Sequence, residues 1–176
     1  MRLRPKRGLR APADLRERLG IPARERVLAW GSGPRTTREA RGEPDYVAAT
    51  DLALYVEGTG ASYPWDSIGR ASWSEPVLEI QLLDPSGGPG PTLRLRITES
   101  GDLPAAVHDR VTASVIVSER IEVADGVRAR MVARRAHDDA PVKWSVVFDV
   151  GVDASDPKLQ LQARAALDEL RSALGI

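Results

Sequence analysis

The chain has 176 residues, 25 basic and 25 acidic side chains, and no cysteine. That length suits one large domain or two small ones, and it allows roughly 70% of the unfolded surface to be buried without covalent staples. Without cysteine, disulfides, thiolate metal sites and cysteine nucleophiles are excluded, and a reducing, cytoplasmic setting is the natural expectation.

No apolar run approaches the ~20 residues of a membrane-crossing helix. The zero net charge hides an asymmetry: residues 1–46 carry 12 basic and 6 acidic side chains, whereas residues 47–176 carry 13 and 19. Residues 1–11 read as a flexible basic arm. They have charge but no apolar segment behind it, so they do not form a secretory leader. Arg2, Arg4, Lys6, Arg7 and Arg10 could meet an anionic membrane surface. Nothing indicates a specific nucleic-acid partner.

Pro12 to Leu19 can form a two-turn helix, with proline near its first position, Gly20 as its stop, and Leu15 and Leu19 on one face. Arg26 to Trp30 predicts a first strand, and Gly31 to Pro44 a polar loop. Alternation then becomes regular. Leu52, Leu54 and Val56 point one way. Leu78, Ile80 and Leu82 oppose Glu79 and Gln81, and Leu93, Leu95 and Ile97 oppose Arg94 and Arg96. Period two with one polar face indicates antiparallel strands covering a core on one side. Pro85 to Pro91 is the hairpin loop between two of them.

Asp102 opens a short helix in which Leu103, Val107 and Val111 are spaced four apart. About six strands and this helix precede a boundary near residue 113, giving segments 1–11, 12–113 and 114–176. Val115, Val117, Ile121 and Val123 belong to the next strand. Val127, Ala129, Met131 and Ala133 alternate with Arg128, Arg130 and Arg134 in another. Val142 to Val152 is the longest alternation, and Val147 on its second face predicts a central strand. Asp156 as N-cap, Pro157 at the first position and Gly175 as the stop define a final helix. Its stripe is Leu159, Ala163, Ala166, Leu167, Leu170 and Leu174, and Arg164 and Asp168 are spaced for an ion pair.

Thr50-Asp51, the strand Leu52 to Val56, and Pro64-Trp65-Asp66 with Ile68 give residues 25–113 a wording that resembles bacterial pleckstrin-homology-like and GRAM-like domains. The resemblance implies seven strands and a C-terminal helix, and a role in binding peptides, lipids or neighbouring subunits, or in scaffolding. It also places a basic loop between the first two strands, which here holds Arg35, Arg38 and Arg41 among Glu39, Glu43 and Asp45. The expected fold class is therefore α+β: an antiparallel PH-like barrel or sandwich with a capping helix, then a three-stranded antiparallel sheet and a C-terminal helix.

Gly31 to Arg38 could cradle an anion with backbone N–H groups, but it lacks a Gly-Lys-Ser/Thr ending and Pro34 removes a donor, so a connector is the simpler reading. His137-Asp138-Asp139 combines an imidazole with two carboxylates, as metal binding or proton transfer would need, yet such residues also build ordinary turns. His108 beside Asp109 reads as an exposed helix residue. No serine sits in a nucleophile elbow. Trp30, Trp65, Trp73 and Trp144 all fall in predicted strands, where core packing competes with lining a ligand pocket. Arg94, Arg96, Arg128, Arg130, Arg134 and Arg135 face outward, either as a basic surface or in cross-strand pairs with Glu79, Glu119 and Glu122.

No catalytic residue, metal ligand or cofactor is assigned. The ligand-contact candidates are Arg35, Arg38, Arg41 and Trp65. The leading expectation is a non-catalytic module binding a protein or a small ligand. The alternatives are a peripheral membrane protein held by the basic arm, and a small enzyme using the His137 region together with Arg35.

Overall fold

The computed structural model describes residues 10–34, 45–84, 88–149, 151–153 and 155–175. Arg35, Arg38 and Arg41, and the arm residues Arg2, Arg4, Lys6 and Arg7, lie outside these; Arg10 is exposed. After the short helix α1 (Leu15–Leu19) come β1 (Val27–Gly33), β2 (Asp45–Thr50), β3 (Ala53–Val56) and β4 (Ala61–Pro64). These form one antiparallel sheet in sequence order. A second follows the same plan with β5 (Ile68–Ser74), β6 (Val77–Leu83) and β7 (Pro89–Arg96). Helix α2 (Leu103–Ala113) precedes the third sheet, built from β8 (Val115–Ala124), β9 (Val127–Arg134) and β10 (Lys143–Phe148), and α3 (Pro157–Leu174) ends the chain. The fold is α+β with three antiparallel sheets, and the sheets do not close into a barrel.

The main core lies between the first two sheets and α2. Leu54, Val56, Ile68, Leu78, Ile80 and Ile97 meet Leu103, Val107 and Val111 there. Full burial of each such side chain stabilises by about 1.5–3 kcal/mol. Asp102 stands at the N-cap of α2 without a capping bond from its side chain. The first sheet is buried on both faces: Ala48, Ala53 and Tyr55 pack under Leu15 and Ile21 on its far side.

The described residues hold seven strands before α2, one more than expected. A 3₁₀ turn at Trp65–Ser67 stands between β4 and β5. Trp65 is therefore in a turn, and it is wholly buried, its indole N–H donating to the Thr50 carbonyl at 3.1 Å. The same threonine anchors a tight turn. Its hydroxyl oxygen accepts from the N–H groups of Leu52 and Ala53 and donates to the Glu25 carboxylate at 2.7 Å. Glu25 is buried and also accepts from the Tyr55 hydroxyl at 2.8 Å. Arg110 of α2 donates to the Asp51 carbonyl at 2.7 Å.

Gly31 to Gly33 is strand, not loop. Gly31, Ser32 and Gly33 pair with Val47, Tyr46 and Asp45, and the Ser32 N–H donates to the Glu99 carbonyl at 2.9 Å. Any side chain at Gly33 would overlap the Arg96 carbonyl, so the glycines serve a close backbone approach. This overturns the expected loop at these three residues.

Arg134, expected to face outward, is 7% exposed. Its guanidinium donates to the Val111 carbonyl (3.2 Å), to the Ser114 hydroxyl (2.9 Å) and to the Gly69 carbonyl (2.8 Å). It thus ties β9 to the C-terminal end of α2, where carbonyls lack helical partners, and to β5. Burial lowers its pKa from the ordinary value, and the nearby Asp66 opposes that shift.

Replacing Arg134 with alanine is expected to lower unfolding free energy by about 3 kcal/mol, because two buried acceptors and one partly buried acceptor lose a charged donor. The exposed Arg120–Asp149 pair at 2.7 Å lies on the same sheet, and Arg120→Ala should cost less than about 1 kcal/mol. Urea unfolding of the two variants checks the contrast; equal midpoints would contradict it.

Tyr55 gives a second test. Burial, with the Glu25 hydrogen bond and charge behind it, raises its phenol to about 12 from 10.0. The neutral form is favoured by folding, so this stabilisation is complete below pH 10 and is lost as pH rises toward 12. Of the three tyrosines, one should titrate last in an ultraviolet absorbance titration, and that step should vanish in Tyr55→Phe.

Candidate functional site

Two adjoining cavities, of about 530 and 430 Å³, share Asp84 and Trp144 and together follow every residue from Lys143 to Asp149. β10 forms one wall. α3 contributes Gln160, Ala163, Arg164 and Leu167, and the described ends of the β6–β7 connection contribute Leu83, Asp84, Gly88 and Pro89. This cleft lies within the size range of ligand pockets.

Each wall has a local cause. Asp156 caps α3, its Oδ1 accepting from the Lys158 N–H at 2.8 Å, Pro157 begins the helix, and Gly175 ends it with φ 69°. Ala163, Ala166, Leu167 and Leu170 pack on Val123, Ala129, Met131, Val146 and Phe148 of the third sheet. Leu174, placed in that stripe by its spacing, is 44% exposed. Asp168 turns to Arg171 at 3.7 Å rather than to Arg164, which leaves Arg164 on the cleft wall.

The expectation that Val142 to Val152 is a central strand is overturned. The sheet order is β10-β9-β8, so β9 is central and β10 is an edge. Among the described residues no second strand pairs with β10, and Val147 on its second face is 42% exposed. The open edge can be assigned residue by residue. The Asp149 N–H donates to the Arg128 carbonyl at 3.1 Å, so it points toward β9. In an antiparallel ladder alternate residues share that direction. Lys143, Ser145 and Val147 therefore bond β9, and the main-chain groups of Trp144, Val146 and Phe148 face the open edge. These last three also line the cleft.

At the Lys143 end sits Asp66, 2% exposed. Its Oδ2 lies 2.9 Å from the Lys143 ammonium, and its Oδ1 has no hydrogen-bond partner among the described residues. Asp84 stands nearby, its Oδ1 accepting from the Gly88 N–H at 2.9 Å.

Of the ligand-contact candidates, Arg35, Arg38 and Arg41 fall outside the described residues. Trp65 has no exposed ring face, although its neighbour Asp66 reaches the cleft. Trp144 is the tryptophan on the cleft wall. His137, Asp138 and Asp139 form an exposed turn between β9 and β10, with the His137 carbonyl accepting from the Ala140 N–H at 2.9 Å. Among the described residues no group of three or more histidines and carboxylates is placed to hold a metal ion. His108 is exposed on α2. Of the outward arginines, Arg94 pairs across strands with Glu79 at 3.5 Å, and Arg128 stands opposite Glu122. No helix among the described residues is long and apolar enough to cross a membrane.

Comparison with family models, curated proteins and solved structures found no match to this chain.

Proposed function

We propose that this protein is a non-catalytic binding module of the PH-like type, and that its ligand occupies the cleft along β10. One observation carries the reading. Trp144, Val146, Phe148, Ala163 and Leu167 make the cleft wall largely apolar, and the polar groups Asp66, Asp84, Lys143 and Arg164 stand around it. An apolar concavity with few polar groups is what ligand sites look like.

The PH-like component draws support from the strand order. Four strands in one sheet and three in the next, followed by α2, match the seven strands and helix that such domains have. Two of the residues that carry the resemblance are also bonded to each other, the Trp65 indole N–H donating to the Thr50 carbonyl. Residues 114–176 are then an addition to that scaffold, and β10 and α3 supply most of the cleft.

The environment-sensitive dye 8-anilinonaphthalene-1-sulfonate tests the site. Saturable binding with enhanced fluorescence is expected, together with energy transfer from tryptophan. Arg164→Trp, on an exposed helix position at the cleft wall, should fill the space and reduce dye affinity at least tenfold while leaving the urea midpoint unchanged. Absent binding, or equal binding by the variant, would refute the cleft as the ligand site.

A further inference from the structure

We propose that the cleft receives an extended peptide segment of a partner protein, which adds a strand to the open edge of β10 and places a basic side chain beside Asp66. This rests on the reading of the cleft as the ligand site, and it names the ligand.

The cleft has the form of a strand. It follows β10 from Lys143 to Asp149, a path of about 20 Å at ~3.3 Å per residue. The main-chain N–H and C=O groups of Trp144, Val146 and Phe148 face it at intervals of two residues, the spacing an incoming antiparallel strand presents. A compact ligand has no use for such a row, whereas strand addition uses all of it, with main-chain bonds giving affinity and side-chain pockets giving specificity.

The composition of β10 supports the same occupant. Natural edge strands are blunted by charge, proline or a cover. β10 has a single charged residue, Lys143, and that ammonium is drawn to Asp66. The rest of the strand is as apolar as a strand flanked on both sides, which fits an edge that is paired part of the time.

Charge sets one end. Asp66 is nearly fully buried, lines the cleft, and has a carboxylate oxygen with no partner among the described residues. Buried polar atoms are rarely left so. A lysine or arginine of the incoming peptide would donate to it, with Asp84 as a second acceptor on the same wall.

The experiment uses the full chain and a phage-displayed library of random nonapeptides, followed by synthesis of the enriched peptides. Enrichment of alternating apolar residues with a basic residue toward one end is expected. N-methylation at alternate peptide amides, which keeps the side chains and removes edge donors, should weaken binding at least tenfold in one register and little in the other. Asp66→Asn should weaken binding of the basic peptides and leave their lysine-to-norleucine analogues unaffected.

Other outcomes separate the two proposals. Dye binding that Arg164→Trp abolishes, with no peptide enriched, overturns the peptide and leaves the cleft as a site for a small apolar molecule. Enriched peptides insensitive to N-methylation also overturn strand addition. Concentration-dependent dimerisation that protects the Trp144, Val146 and Phe148 amides would make a second copy the occupant and overturn the partner peptide. Loss of both dye and peptide binding removes the cleft reading itself.

Discussion

The guanidinium of Arg134 joins the third sheet to α2 and to the second sheet through buried hydrogen bonds. It reaches from β9 to the last carbonyls of α2 and to the Gly69 carbonyl of β5. A buried cation with three acceptors is costly to disrupt, since removing it strands the groups it satisfies. Its reach fixes the third sheet against the scaffold of the first two. β10 is thereby held beside the β6–β7 connection, and the Lys143 ammonium comes within 2.9 Å of Asp66. The cleft depends on this placement, because one wall belongs to the third sheet and α3 and the other to the second sheet.

Within the first two sheets, Thr50 has a comparable role at shorter range. Its carbonyl holds Trp65, its hydroxyl meets Glu25, and its hydroxyl oxygen accepts from the Leu52 and Ala53 amides of the turn. The Pro64-Trp65-Asp66 stretch is therefore double-sided. Trp65 faces the core and Asp66 faces the cleft, so packing of the tryptophan positions the carboxylate.

Much of the architecture was legible in the residues because local chemistry decided it. Asp156, Pro157 and Gly175 are the N-cap, first position and stop of α3, and Leu103, Val107 and Val111 form the buried face of α2. The β8 alternation also appears as expected, and that of β9 holds from Val127 to Met131 before both faces become buried. The failures share a different origin. Whether Val142 to Val152 is central or at an edge depends on what lies beside it, and the alternation of one strand carries no information about its neighbours. Arg134 alternates with apolar residues as an exposed arginine would, and only the arrival of α2 and β5 buries it. The turn that takes Trp65 out of a strand is three residues long and interrupts no hydrophobic period. The cleft was illegible for the same reason: Asp66, Asp84, Trp144 and Leu167 are far apart in sequence, and no short motif unites them. The one available signal was Trp144 in a strand too apolar for an edge.

An open edge beside an apolar cleft is the condition on which the functional account stands. Amide hydrogen exchange of the free protein by nuclear magnetic resonance reads it directly, residue by residue. Ser145, Val147 and Asp149 should be protected by their bonds to β9, while Trp144, Val146 and Phe148 exchange at least tenfold faster. Uniform protection along β10 at low protein concentration, or the opposite alternation, would contradict the account.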